Sequence, residues 1–253
     1  MFGKTINKLL NKAGFQISKI DPRKGLEDIF SDKEFSLVYE AVSRYTMTSP
    51  QRLYALYKAV EYIAANRIEG DFVECGVWRG GSAMAIALML KRLGIGDRKI
   101  YLYDTFEGMS SPTEKDKDIF GNKASSLLEV EELSASLENV WCYASLEDVS
   151  SNIGNTGYPM QNVFLLKGKV EDTIPATIPG KIALLRLDTD WYESTAHELL
   201  HLYPLLASKG VLIIDDYGHW QGARQAVDEY IAKNKLSLLL NRIDYTGRLA
   251  IKY

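Results

Sequence analysis

Four carboxylates stand in two close pairs, Asp188 with Asp190 and Asp215 with Asp216. Each pair closes an apolar segment, Ile182 to Tyr192 (IALLRLDTDWY) and Gly210 to Tyr217 (GVLIIDDY). Short β-branched or Leu-rich runs of this kind read as strands buried on both faces of a parallel sheet. Ligands of such sheets lie in the crevice outside the carboxyl ends of the strands. Four acids gathered there repel one another unless something positive sits between them, and a divalent, oxygen-preferring cation is the simplest candidate. Asp188 and Asp190 alternate along an extended chain, so one can ligate a metal while the other faces a substrate. Helix capping accounts for one such acid, not for four at adjacent strand ends.

The segments before these must position them. Asp71 to Cys75 (DFVEC) reads as a strand and runs through Gly76-Val77-Trp78-Arg79-Gly80-Gly81-Ser82 into an apolar helix, Ala83 to Leu93. Such a turn either brings backbone amides close to a ligand at a helix N-terminus or uses its glycines only for packing. Its spacing is neither a dinucleotide fingerprint nor a P-loop. Lys99 to Asp104 (KIYLYD) is the second strand, and Asp104 at its end is placed to accept hydrogen bonds from the ribose of a nucleoside. Asn162 to Lys167 is a third strand, with Gly168 just past it, and the two opening segments are the fourth and fifth.

Upstream, Ser31-Asp32-Lys33-Glu34 is an N-cap pattern, and Ser49-Pro50 caps a helix from Gln51 to Ala65. Residues 105–140 are polar and irregular, with a helix expected near Ser126 to Leu137, and read as an insertion over the crevice. Ala223 to Lys233 is helical, and Leu236 to Ile243 with Arg248 to Tyr253 read as a closing hairpin, hence a mixed sheet with an antiparallel edge. His197 and His201 lie four apart, but in the wrong order for a zinc helix and among leucines, so an ordinary amphipathic helix is the better reading. His219, beside the acids, either touches substrate or sits in a surface loop.

The chain has 253 residues, 46% hydrophobic and 25% charged, with a formal net charge of −3. That is the composition of one globular domain and gives no basic footprint for nucleic acid. No apolar stretch is long enough to span a membrane, and the first residues form a weakly amphipathic arm rather than a secretory signal. Cys75 and Cys142 form neither a metal pattern nor a disulfide scaffold, and the expected compartment is cytoplasmic.

With these motifs assembled, the chain resembles the macrocin O-methyltransferase (TylF) family of S-adenosylmethionine- and Mg2+-dependent sugar O-methyltransferases. The resemblance rests on Gly70 to Ser82, Tyr103 to Met109, Gly168 with Val170 to Pro175, Leu187 to Thr195, Ile214 to Gly218, and Gly222 to Arg224 with Ala226 to Asp228. It runs from about residue 45 to the end and is slight over residues 1–30. It implies a class I methyltransferase fold, an α/β Rossmann-like mixed seven-stranded sheet with helices on both faces and an N-terminal helical extension. Residues 1–45 are then a helical arm, lid or oligomer contact, and residues 46–253 the S-adenosylmethionine-dependent methyltransferase domain.

By the same resemblance Asp188, Asp215 and Asp216 are the metal ligands and Asp190 is the general base. Thr48, Glu74, Gly76, Val77, Trp78, Ser82, Asp104, Thr105, Phe106, Gly168, Val170, Glu171 and Asp188 line the cofactor. Met47, Tyr192, Tyr217 and His219 face the acceptor, a glycoside or saccharide. A homodimer or higher homo-oligomer is expected. Two alternatives stand beside this reading. One is a metal-dependent phosphohydrolase, whose nucleophile and metal acids Asp188-Thr189-Asp190 and Asp215-Asp216 imitate. The other is a non-catalytic S-adenosylmethionine-binding protein of the same fold.

Overall fold

The computed structural model describes residues 25–132 and 141–253. The amphipathic arm expected in the first residues and the end of the helix expected near Ser126 to Leu137 lie outside them. Helices α1 (Glu27–Phe30), α2 (Lys33–Val42) and α3 (Pro50–Ala65) come first. Asp32 caps α2 by accepting from the Glu34 and Phe35 amides, and Ser49 caps α3 by accepting from the Arg52 amide at 3.2 Å. There follow β1 (Asp71–Cys75), α4 (Gly81–Arg92), β2 (Ile100–Asp104), α5 (Ala124–Glu132), α6 (Leu146–Gly154), β3 (Val163–Lys167) and the short α7 (Val170–Thr173). The chain closes with β4 (Ile182–Leu187), α8 (Tyr192–Leu202), β5 (Leu206–Ile214), α9 (Gln221–Lys233), β6 (Asn241–Arg242) and β7 (Arg248–Ile251).

The strands form one seven-stranded sheet in the order β3-β2-β1-β4-β5-β7-β6. The first five run parallel and the last two are antiparallel, so the expected mixed sheet is present. Helices α1 to α4 and α6 bury one face of it through Phe35, Leu53, Ile86 and Val149. Helices α7 to α9 bury the other through Val170, Leu199 and Val227. Every residue of β4 is buried, as an apolar run predicts for a central parallel strand.

Two boundaries differ from the sequence reading. Strand β5 begins at Leu206, earlier than Gly210, because the chain pairs with β4 from Ile182↔Leu206 and then slips register before Leu184↔Val211. The closing hairpin pairs only over Asn241 and Arg242 on its first side. Upstream, Leu236, Leu238 and Leu240 pack against the core without joining the ladder, and Leu239 points to solvent. Among the described residues no helix is long and apolar enough to cross a membrane.

Candidate active site

The strand order reverses at β1, which is flanked by β2 on one side and β4 on the other, and a cavity of about 520 Å³ opens beyond the carboxyl ends of these strands. Its first wall is the turn after β1. Gly76 has φ +80°, and a Cβ there would lie 1.9 Å from the carbonyl oxygen of Asp188. The glycine is therefore required by the close approach of the β1 and β4 ends as much as by any ligand. Gly81, at the start of α4, donates its amide to the Tyr45 carbonyl at 2.8 Å and has no room for a Cβ. That contact lays Thr46, Met47 and Thr48 along the cavity.

Asp104 faces the same cavity, but its carboxylate already holds the backbone. Oδ2 accepts from the amides of Val77 at 2.6 Å and Trp78 at 3.1 Å, and Oδ1 accepts from Phe106 at 2.8 Å. These bonds fix Trp78 and Phe106 at positive φ, 47° and 51°. A ribose at Asp104 has to share the carboxylate with these turns.

The acids meet as the sequence suggested. One carboxylate oxygen each from Asp188, Asp215 and Asp216 lies within 4.8 Å of the others. The sequence reading did not foresee the cations already among them. Arg186, 2% exposed and next to last in β4, donates to Glu74 Oε1 at 2.6 Å, Asp188 Oδ2 at 2.7 Å, Asp215 Oδ1 at 2.8 Å and Thr48 Oγ1 at 2.8 Å. Glu74 and Arg186 are register partners on adjacent parallel strands, which explains their pairing. Arg52 of α3 donates to the other Asp215 oxygen and to Asp244. A signal for Arg186 was present, since a charge inside the apolar run IALLRL must find partners once buried.

Two guanidinium groups thus stand among six acids, Glu74, Asp188, Asp190, Asp215, Asp216 and Asp244. Burial, with repulsion from Asp215 and the neighbouring acid, holds the Asp188 and Asp216 carboxyls well above the usual range. Burial pushes Asp190 and Glu74 each up to about 7. Asp216 Oδ2 is buried with no hydrogen-bond partner. Converging hard oxygens, excess negative charge and an orphaned carboxylate oxygen fit a divalent cation such as Mg2+.

Asp190 departs from the expected extended alternation. Its φ is +67°, and the Trp191 amide donates to the Thr189 carbonyl at 2.7 Å, closing a three-residue turn on Asp190. The turn leaves Asp190 lining the same cavity as Asp188, Asp216 and Trp220.

Of the expected cofactor residues, Thr48, Gly76, Val77, Trp78, Ser82, Asp104, Thr105, Gly168, Val170, Glu171 and Asp188 line the cavity. Glu74 and Phe106 do not: Glu74 is 1% exposed beneath Arg186 and Phe106 is a core side chain. Met47 and His219, expected to face the acceptor, line it as well. Tyr192 and Tyr217 turn away. The Tyr192 hydroxyl donates to Glu229 with Lys115 over its ring, and the Tyr217 hydroxyl donates to Asp228 in a separate groove. The His197 and His201 rings lie 4.5 Å apart, tilted to each other, with His197 Nε2 on the Ile174 carbonyl, as an ordinary helix predicts.

The segment read as an insertion is anchored over the crevice. Asp116 is fully buried and accepts from the Tyr192 amide at 2.8 Å. Asp118 bridges to Trp220, and Trp191 Nε1 donates to the Ser110 carbonyl at 2.9 Å.

The profile of the macrocin-O-methyltransferase (TylF) family matches residues 40–250. A relative from Streptomyces olivaceus, 8-demethyl-8-(2,3-dimethoxy-alpha-L-rhamnosyl)-tetracenomycin-C 4'-O-methyltransferase, is 35% identical over 203 residues, covering 80% of this chain and 74% of its own. Mycinamicin III 3''-O-methyltransferase from Micromonospora griseorubida is 32% identical, covering 80% and 76%. Among solved structures, the O-methyltransferase NovP superposes with a TM-score of 0.72 at 32% identity over 82% of each chain. The calicheamicin methyltransferase CalS11 shares the fold, with a TM-score of 0.62 at 16% identity over 93% of this chain and 94% of its own.

Proposed function

Since the chain belongs to the macrocin-O-methyltransferase (TylF) family, we propose that it moves the methyl group of S-adenosylmethionine to a hydroxyl of a saccharide or glycosylated small molecule, with Mg2+ as its metal. With the family established, the phosphohydrolase alternative falls away. The observation that carries the reading is the gathering of Asp188, Asp215 and Asp216 beside Asp190 at the mouth of the glycine turn. The acceptor class follows the relatives, one of whose names carries a rhamnosyl group.

Asp188, Asp215 and Asp216 are the residues to hold the metal, which when bound lowers the pKa of a sugar hydroxyl. S-adenosylmethionine supplies the electrophilic methyl group. Gly76, Val77, Trp78, Ser82, Asp104 and Thr105 form one wall for it, and Gly168, Val170 and Glu171 the other. Thr48, held by Arg186, closes that space from above. Glu74 and Phe106 act from behind the wall, Glu74 by fixing Arg186. Asp190 takes the hydroxyl proton on its carboxylate; an acid pushed up to about 7 is suited to accept a proton near neutrality. The anchored segment Ser110 to Asp118 keeps water from the reacting atoms, and Met47 and His219 meet the acceptor at the mouth. Much of the rate then comes from holding the reactants in line.

We assign residues 46–253 to the catalytic domain and residues 1–45 to a helical extension that serves as a lid or as a contact between copies. Of that extension, α1 and α2 pack onto the domain, with Phe35 and Val42 in the same core as Leu53 and Ile86. The test of the cofactor is calorimetric titration of S-adenosylmethionine and S-adenosylhomocysteine. Saturable binding of both is expected; binding of neither overturns the reading.

A further inference from the structure

Behind the Asp188-Thr189-Asp190 turn lies a carboxyl with no part in the chemistry above. Glu198 projects from α8 and is 0% exposed. Its Oε1 accepts from the Thr189 hydroxyl at 2.9 Å, and Oε2 has no hydrogen-bond partner. Its neighbours on α8, Leu199 and Leu202, are core side chains, and a leucine at 198 suits the same helix face. A buried carboxyl is far costlier than an aliphatic side chain there, so packing alone does not explain it.

What the carboxyl does is reach Thr189, the first residue of the turn centred on Asp190. Thr189 is pinned at both ends: its carbonyl accepts from the Trp191 amide at 2.7 Å, and its hydroxyl is bound to Glu198. There Asp190 is held at φ +67° in a three-residue turn, a backbone arrangement that is rare and strained for any L-residue. Asp190 therefore depends on Thr189, and Thr189 on Glu198.

We infer that Glu198 is a positioning residue: through the Thr189 hydroxyl it holds the turn that sets Asp190 in the cavity. Burial keeps the Glu198 carboxyl well above the usual range, so it serves as a neutral hydrogen-bond acceptor that adds no further charge to the acidic cluster. Glutamine can then replace it, because the amide oxygen takes over the role of Oε1. The inference rests on Asp190 being the general base.

The test compares Glu198→Gln, Glu198→Leu, Thr189→Ser and Thr189→Val in the full chain. Crystal structures are expected to keep Asp190 at positive φ in the Gln and Ser variants and to release it in the Leu and Val variants. Turnover is followed as S-adenosylhomocysteine formed with TDP-rhamnose or p-nitrophenyl α-L-rhamnoside as acceptor. Leu and Val are expected to lose at least about tenfold in kcat, with S-adenosylmethionine affinity within about twofold of wild type. Removing the buried carboxyl leaves the melting temperature of Glu198→Leu equal or higher, which separates positioning from support of the fold.

Glu198→Leu with Asp190 unmoved, or with wild-type kcat, overturns the inference. So does parallel loss of kcat, cofactor affinity and melting temperature. The crystallographic comparison needs no acceptor, so it decides this inference even where the wild type methylates neither glycoside, a result that counts against the acceptor class instead.

Discussion

Arg186 and Glu74 sit side by side on adjacent parallel strands, their charged atoms 2.6 Å apart and both side chains almost wholly buried. The pair ties the core to the site, because the same guanidinium also donates to Asp188 and Asp215. Removing one member of a buried pair leaves its partners uncompensated, at a cost of about 3–5 kcal/mol. Arg186→Met is expected to lower the melting temperature by many degrees in differential scanning calorimetry. Arg186→Lys, which keeps the charge but not the several donors, is expected to fall between it and wild type.

Gly76→Ala places a Cβ where the Asp188 carbonyl stands. The β1 and β4 ends must then separate, at a cost of roughly 1–3 kcal/mol or more for overpacking. The carboxylate of Asp188, the proposed metal ligand, is displaced with them. Denaturant titration is expected to show the destabilisation, and calorimetry a loss of metal affinity in the fraction that folds.

Burial holds Asp188 and Asp216 above the usual carboxylate range, so in the metal-free protein they are expected to bind protons more readily than free carboxyls do. A metal competes with those protons, so affinity for Mg2+ is expected to rise with pH and to fall as the solution is taken from alkaline to acid. Binding is expected to release protons, which calorimetry in buffers of different ionisation enthalpy measures directly. Affinity that does not change with pH contradicts the ligand assignment.

Asp190→Asn keeps the shape of the side chain and removes its capacity to accept a proton. S-adenosylmethionine and Mg2+ affinities are expected to stay near wild type while transfer falls by about 10²–10⁴-fold. Equal loss of binding and transfer contradicts a division of labour between Asp190 and the other acids.

The sheet and the acidic cluster were legible because they depend on local pattern. IALLRL and GVLII are too short and too apolar for anything but buried strands, and their terminal acids had to meet. What stayed hidden depends on contacts between distant segments. The burial of Asp116 under Tyr192 joins residues far apart in the chain. The turn at Asp190 rests on Glu198, one helix further on, so an extended reading of Asp188-Thr189-Asp190 was the natural local one. Tyr192 and Tyr217 lie beside the motif in sequence, yet each hydroxyl finds an acid on α9 and turns from the cavity. Leu236 to Leu240 has the composition of a strand, but packs against the core without pairing.

The most direct test of the account is S-adenosylhomocysteine production from S-adenosylmethionine across a panel of rhamnosides and other glycosides. The assay is run with Mg2+, with a chelator, and after Mg2+ is restored. The account predicts turnover on at least one sugar hydroxyl, abolished by the chelator and recovered on adding the metal back. Turnover that is indifferent to the chelator contradicts the metal role of Asp188, Asp215 and Asp216, and cofactor binding without transfer to any glycoside contradicts the proposed acceptor class.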